Sequence, residues 1–121
     1  MKRSPPTRVF KTAWFSRAAK KAVITDMQLC SAIEQVMAGQ ADDLGGGVYK
    51  KRLGKNLYRS VVLARGRRHW IYAYLFAKRN RANIDEAELA AFRALALVYA
   101  AKTDSQFNQE VLAKEVVEIC L

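Results

Sequence analysis

Residues 69–77, HWIYAYLFA, constrain the fold more than any other stretch of the chain. Successive side chains of a strand point to opposite faces. Here Trp70, Tyr72, Tyr74 and Phe76 fall on one face and Ile71, Ala73, Leu75 and Ala77 on the other. With both faces apolar, this strand must lie inside a sheet that is covered on both sides. Two earlier runs, 48–53 and 57–65, also read as strands. A short GKN turn joins them, and Gly66-Arg67-Arg68 makes a hairpin connection to the third. Together they predict a meander of three antiparallel strands.

Residues 8–12, RVFKT, read as a short strand. A helix is predicted from Trp14 to about Ala22, with Trp14, Phe15 and Ala18 on one face. Thr25-Asp26 stops it and caps the next helix. That helix carries Leu29, Ile33, Val36 and Met37 at three- and four-residue spacing and ends at Gly39. Gly45, Gly46 and Gly47 in succession suit neither a helix nor a strand interior and form a turn whose backbone can pack closely. A phosphate-cradling loop would need a strand before it and a helix with Lys-Ser/Thr after it, and neither is present. Asp85 and Glu88 form a capping box for a helix to about Ala101, with Leu89, Phe92, Leu95, Ala96 and Tyr99 on its apolar face. Thr103 and Gln106 repeat the pattern for a shorter helix through about Ala113. The β-branched end, EVVEICL, suits a further strand. The expected fold is α+β, one compact domain over residues 8–121 after a disordered tail at 1–7 that contains Ser-Pro-Pro.

The net charge is +10 over 121 residues, and its distribution matters more than its total. Residues 44–83 hold eleven Lys and Arg and no acid, whereas residues 84–121 hold three bases and seven acids. A one-signed central block implies a polyanionic partner. Lys50 and Arg52 share one strand face and Lys51 lies opposite. Arg59 shares a face with Val61 and Leu63, and the third strand runs out into Lys78-Arg79. If the strands pair in order, cations from three neighbouring strands converge at one end of the sheet. The plainer reading, solvated cations on edge strands, does not explain the missing acids.

No apolar run approaches the ~20 residues that cross a bilayer. The basic N-terminus is not followed by the apolar core of a secretory signal. Both point to a cytoplasmic protein. Cys30 and Cys120 have no metal-ligand spacing, and in a reducing compartment a buried thiol is the expected state of Cys30, which sits among Leu29, Ile33 and Met37.

The acid-free block disfavours two-carboxylate catalysis and metal-dependent hydrolysis. The one histidine, His69, has no orienting partner nearby in sequence and reads as a turn residue. RNA leaves one further route, in which the 2′-hydroxyl attacks its own phosphate. Arg suits the phosphate clamp because its fork is bidentate and always charged. A Lys among other cations is more easily deprotonated and can act as a base.

At this level of detail the chain resembles the RelE superfamily of bacterial type II toxins, in its HigB-like branch. The resemblance runs from about Val9 to Leu121. It rests on VFKTAWFSRAAKKAVITD, DLGGGVYKKR, Tyr58-Arg59, FAKRNRANI and the tail KEVVEICL. It implies helices packed on a twisted antiparallel sheet. It also implies a ribosome-dependent endoribonuclease of translated mRNA that needs no metal or cofactor and is neutralised by a cognate antitoxin of helix-turn-helix type. By position, Lys50 and Arg52 match the basic pair of the active-site strand, Arg59 the arginine of the Tyr-Arg motif, and Arg79 the arginine after the last strand. Lys78 and Asn83 match the FAK…NI signature. With Lys51 and Lys55 they are the expected RNA-binding residues. Lys50 is the candidate base, and Arg59 and Arg79 the candidate clamps. There are two departures: the GKNL link is short where many relatives have a longer Gly-rich insertion, and RANIDEAEL offers no counterpart to the tyrosine that some members use, which leaves the general acid or base open. A non-catalytic nucleic-acid-binding module and a gyrase-inhibiting toxin of the same fold are the alternatives.

Overall fold

A computed structural model of the chain describes residues 6–121. Its elements run β1 (Arg8–Thr12), α1 (Ala13–Lys21), α2 (Asp26–Met37), β2 (Asp42–Asp43), β3 (Val48–Leu53), β4 (Tyr58–Leu63), β5 (His69–Ala77), α3 (Glu86–Ala100), α4 (Asp104–Leu112) and β6 (Val116–Ile119). The strands form a single sheet in the order β2-β3-β4-β5-β1-β6. The meander β3-β4-β5 is antiparallel, as its short turns require. β1 lies parallel to β5, and β6 returns antiparallel along β1. Of the predicted tail, residues 1–5 lie outside the described residues, and Pro6 and Thr7 precede β1 in irregular, exposed backbone.

Two layers of helix cover the sheet. On one face Phe15 and Ala19 of α1 and Leu29, Ile33 and Val36 of α2 pack on Val62, Trp70 and Tyr72. On the other, Ala96 and Tyr99 of α3 and Phe107 of α4 pack on Phe10, Val61, Leu63 and Ile71. β5 is thus covered on both sides, which satisfies its two apolar faces. Three of the four helices open with the same device. Thr25, Asp85 and Thr103 each accept a hydrogen bond from the third helical residue, whose side chain reaches back to the cap N–H.

Three expectations need correction. First, the alternation along β5 breaks. Val61 faces Tyr74 but Val62 faces Tyr72, so Ala73 is the extra residue of a β-bulge. Trp70 and Tyr72 pack under α1 and α2, whereas Tyr74 and Phe76 move to the α3 side. Second, Phe15 and Ala19 point inward from α1, and Trp14 is 44% exposed. Third, Cys30 and Cys120 are joined as a disulfide and are not free thiols. β6 runs back beside β1 and brings the C-terminal end to α2, with Cα atoms 5.5 Å apart across 90 residues of sequence.

The reading of His69 as an unpartnered turn residue also changes. Its Nε2 lies 2.7 Å from Asp104 Oδ1. Asp104, at the start of α4, also takes both arms of the Arg68 fork at 2.8 and 2.6 Å, and Arg8 Nη1 at 3.2 Å. Arg8 in turn donates Nε and Nη2 to Glu118 at 2.8 Å each. This cluster ties α4 and β6 to the start of β5. The hydrogen bond from Arg68, with help from His69 and Arg8, holds the Asp104 carboxyl below the usual carboxylate range, and the hydrogen bond from Arg8 does the same for Glu118. Both carboxylates bind protons less readily folded than unfolded. Their contribution to stability is therefore complete above the ordinary carboxylate pKa of about 4 and is lost as pH falls below it. Urea denaturation at pH 6 and pH 3 is expected to show a marked acid loss of stability that Asp104→Asn reduces. An unchanged pH dependence in that variant would remove the cluster from the explanation.

Candidate functional site

The strand register lays out the basic face as rows. Arg52, Arg59 and Phe76 form one row across β3, β4 and β5, and Lys50, Val61 and Tyr74 form the next. Arg52 and Arg59 are direct cross-strand partners. Like charges so placed repel each other, and neither has a carboxylate in ion-pair range among the described residues. Stability alone does not account for such a pair.

Each cation is held differently. Lys50 Nζ donates to Asn83 Oδ1 at 3.3 Å and lies 3.6 Å from Asp42 Oδ2. Asn83, in the loop after β5, also accepts from the Ile84 backbone N–H, so one side chain couples that loop to β3. Arg52 is exposed. Arg59 is buried, and its Nη1 donates to the carbonyls of Asn56 and Tyr58 at 3.1 Å each. Gly54, Lys55 and Asn56 all have positive φ in that turn, so Arg59 braces an unusual backbone as well as carrying charge.

The structure brings Lys50, Arg52, Arg59 and Asn83 to one face. Lys78 and Arg79 are exposed just past β5 and line a neighbouring cavity of about 380 Å3 with Leu57, Tyr58 and Ala77. Lys51 is on the opposite face, where its Nζ donates to the Gln40 carbonyl at 3.1 Å. Burial, then the nearby Arg52 charge, lowers its pKa. Lys55 is exposed in the β3–β4 turn.

Two features of this end were not read from the sequence. Asp42 stands just outside the acid-free block, and the two-residue strand β2 pairs it directly with Lys50. Arg81 caps the face, its guanidinium 5.5 Å from the Phe76 ring centroid. It donates to the Tyr74 hydroxyl at 3.4 Å and makes a two-armed pair with Glu88 of α3. That pair, aided by the Asp85 backbone, holds the Glu88 carboxyl down at about 2. Glu88 is thus both capping-box residue and anchor for Arg81. The D-x-x-E spacing disclosed the first role and nothing local disclosed the second.

This arrangement can grip a phosphate between exposed and half-buried cations, beside a carboxylate and an amide, on a rigid sheet. Residues 7–119 match the sequence model of the family described as the RelE toxin of the RelE / RelB toxin-antitoxin system. No curated protein and no solved structure matches the chain significantly.

Proposed function

Because the chain belongs to the RelE toxin family, the toxin half of a toxin-antitoxin system with an antitoxin as partner, we propose that it is a ribosome-dependent endoribonuclease of translated mRNA. We place it in the HigB-like branch on the strength of DLGGGVYKKR and FAKRNRANI. The observation that carries the reading is the direct pairing of Arg52 with Arg59, one row from Lys50. Costly like-charge packing on a sheet face is explained by an anion that occupies it.

In this mechanism the exposed Arg52 takes the clamp role expected of Arg59, whose Nη1 is committed to the turn carbonyls, and with Arg79 it holds the non-bridging oxygens of the scissile phosphate. Their charge offsets what builds up when the 2′-hydroxyl attacks phosphorus and the 5′-oxygen departs. Lys50, its Nζ fixed by Asn83, takes the 2′-hydroxyl proton, and the departing 5′-oxygen takes its proton from solvent. Arg59 adds charge from below and keeps the β3–β4 turn in shape. Lys51, Lys55 and Lys78 contribute to the field that attracts RNA. The protein works in the cytoplasm, where translated mRNA is found, and its antitoxin is of helix-turn-helix type. Among the described residues no helix is long and apolar enough to cross a membrane.

Primer extension on an mRNA translated by purified ribosomes tests this. The wild type is expected to give codon-phased cuts that require ribosomes. Lys50→Ala and Arg52→Ala are each expected to slow cutting by roughly 10²-fold, the scale for losing one preorganised electrostatic group, with unchanged melting temperature. Arg59→Ala is a poorer probe, because it also strips two carbonyls of their donor. A folded wild type that makes no cuts would sink the proposal.

A further inference from the structure

β1 pairs with β5 only as far as Lys11 and Tyr72. Beyond that point β5 has no strand neighbour on its β1 side. A groove of about 410 Å3 opens there, lined by Ala18 and Lys21 of α1 and Ala22 just after it, by Tyr58, and by β5 and its following loop through Arg81. At its mouth Lys21 and Arg79 are exposed and have no carboxylate in ion-pair range among the described residues. One turn before Ala18 on the same helix face stands Trp14. Its ring stacks on Tyr74 with centroids 5.0 Å apart, and Arg81 holds the Tyr74 hydroxyl.

We infer that this groove is a subsite for an unpaired RNA nucleotide flanking the cut. The inference rests on the nuclease reading above. The base stacks on the Trp14–Tyr74 pair, and its phosphate lies between Lys21 and Arg79. Two observations favour single-stranded RNA over a peptide. Aromatic rings rimmed by cations suit a base and its phosphate, because every base offers a π-face. The groove is also continuous with the phosphate-gripping end of the sheet. Tyr58 and Arg79 line both this groove and the cavity beside Lys78, and Tyr58 precedes Arg59. A strand leaving the Arg79 clamp enters a groove whose lining, like that of the neighbouring cavity, holds no Asp or Glu. The bulge at Ala73 is what delivers Tyr74 to this position.

Trp14 gives the test a built-in reporter, since the other tryptophan, Trp70, is 1% exposed. Full-length protein is titrated with a fluorescein-labelled, fully 2′-O-methylated RNA octamer that cannot be cleaved, while RNA anisotropy and tryptophan emission are followed together. The wild type is expected to bind with quenched emission. Trp14→Ala is expected to raise Kd about 5–10-fold, the low end for one stacked base. Lys21→Ala is expected to reduce the salt dependence by about one phosphate contact. Both variants should slow ribosomal cleavage to a similar degree. Wild-type cleavage matched by both variants, with RNA bound and emission unchanged, would overturn the subsite and leave the nuclease standing. Weakened antitoxin capture with RNA binding intact would assign the groove to the protein partner instead. A wild type that neither binds the octamer nor cuts on ribosomes would overturn both readings.

Discussion

Gly47→Ala is expected to destabilise the protein by about 4 kcal/mol, an effect reserved for substitutions that leave a side chain nowhere to go. Gly47 has φ of +83°, which costs an L-residue about 1–2 kcal/mol by itself. A Cβ added there would lie 2.4 Å from both Cα and Cβ of Arg65 and 2.6 Å from its backbone nitrogen. Main chain cannot swing aside as a side-chain tip can. The Gly47 carbonyl also accepts the Ala64 N–H at 2.8 Å, so movement there would break the entry to the β3–β4 ladder. Gly39 supplies the control. Its φ is +87°, but an added Cβ would meet nothing within 4 Å. Gly39→Ala should therefore show the backbone cost alone, about 1–2 kcal/mol. Urea melts of the two variants check this, and equal losses would refute the steric account. The consequence reaches the site. Side chains alternate with a period of two, so a one-residue slip of β3 would turn Lys50 and Arg52 under α2 and bring Lys51 to the face they now occupy.

Much of this architecture was legible in the sequence because the signals were local. The cap at Thr25, the capping boxes at Asp85 and Thr103, the GKN and Gly66-Arg67-Arg68 turns, and the β-branched end each announce an element to within a residue or two. What escaped was set by contacts between distant segments. The bulge at Ala73 exists because β4 and β5 differ in effective length, which no count along β5 alone reveals. Asp42 sits eight residues before Lys50 and reaches it only because the glycine turn folds β2 back along β3. His69 finds Asp104 at a separation of 35 residues, through the docking of α4. For the site, periodicity placed Lys50, Arg52 and Arg59 on shared faces and set Lys51 apart. It could not show that Arg59 turns inward to the Asn56 and Tyr58 carbonyls.

The sheet divides its charge between two ends with different chemistry. At the start of β5, Arg8, Arg68 and His69 are matched by Asp104 and Glu118. These cations close the fold by fixing α4 and β6. At the far end of β5, Arg52, Arg59, Lys78 and Arg79 have no carboxylate in ion-pair range among the described residues. Asp104 and Glu118 of the C-terminal third therefore neutralise the structural end, while at the other end Glu88 takes Arg81 and leaves Arg52, Arg59, Lys78 and Arg79 open to a polyanion. This explains how a strongly basic domain can be both stable and charged where it works, since only the unpaired end carries the repulsion.

Reducing the Cys30–Cys120 disulfide is expected to cost about 2–4 kcal/mol, toward the upper end because it closes a 90-residue separation. The bond joins α2 to the residue after β6. Ile119 pairs with Val9, and Arg8 pairs with His69, which places Cys120 at the closed end of the sheet, away from Lys50 and Arg52. Reduction should therefore lower the melting temperature by roughly 15 °C, at about 4 °C per kcal/mol for a domain of this size, while the ribosomal cleavage proposed above persists at 25 °C. Cys30→Ser and Cys120→Ser should each match the reduced wild type. A melting temperature that stays constant while thiol titration shows two free cysteines would mean that the cystine adds nothing the surrounding packing does not already hold. With the disulfide reduced, the Arg8–Glu118–Asp104–Arg68 cluster is left to keep β6 and α4 in place. Asp104→Asn should accordingly depress the melting temperature more in the reduced protein than in the oxidised one, and additive effects would show that the two fastenings act independently.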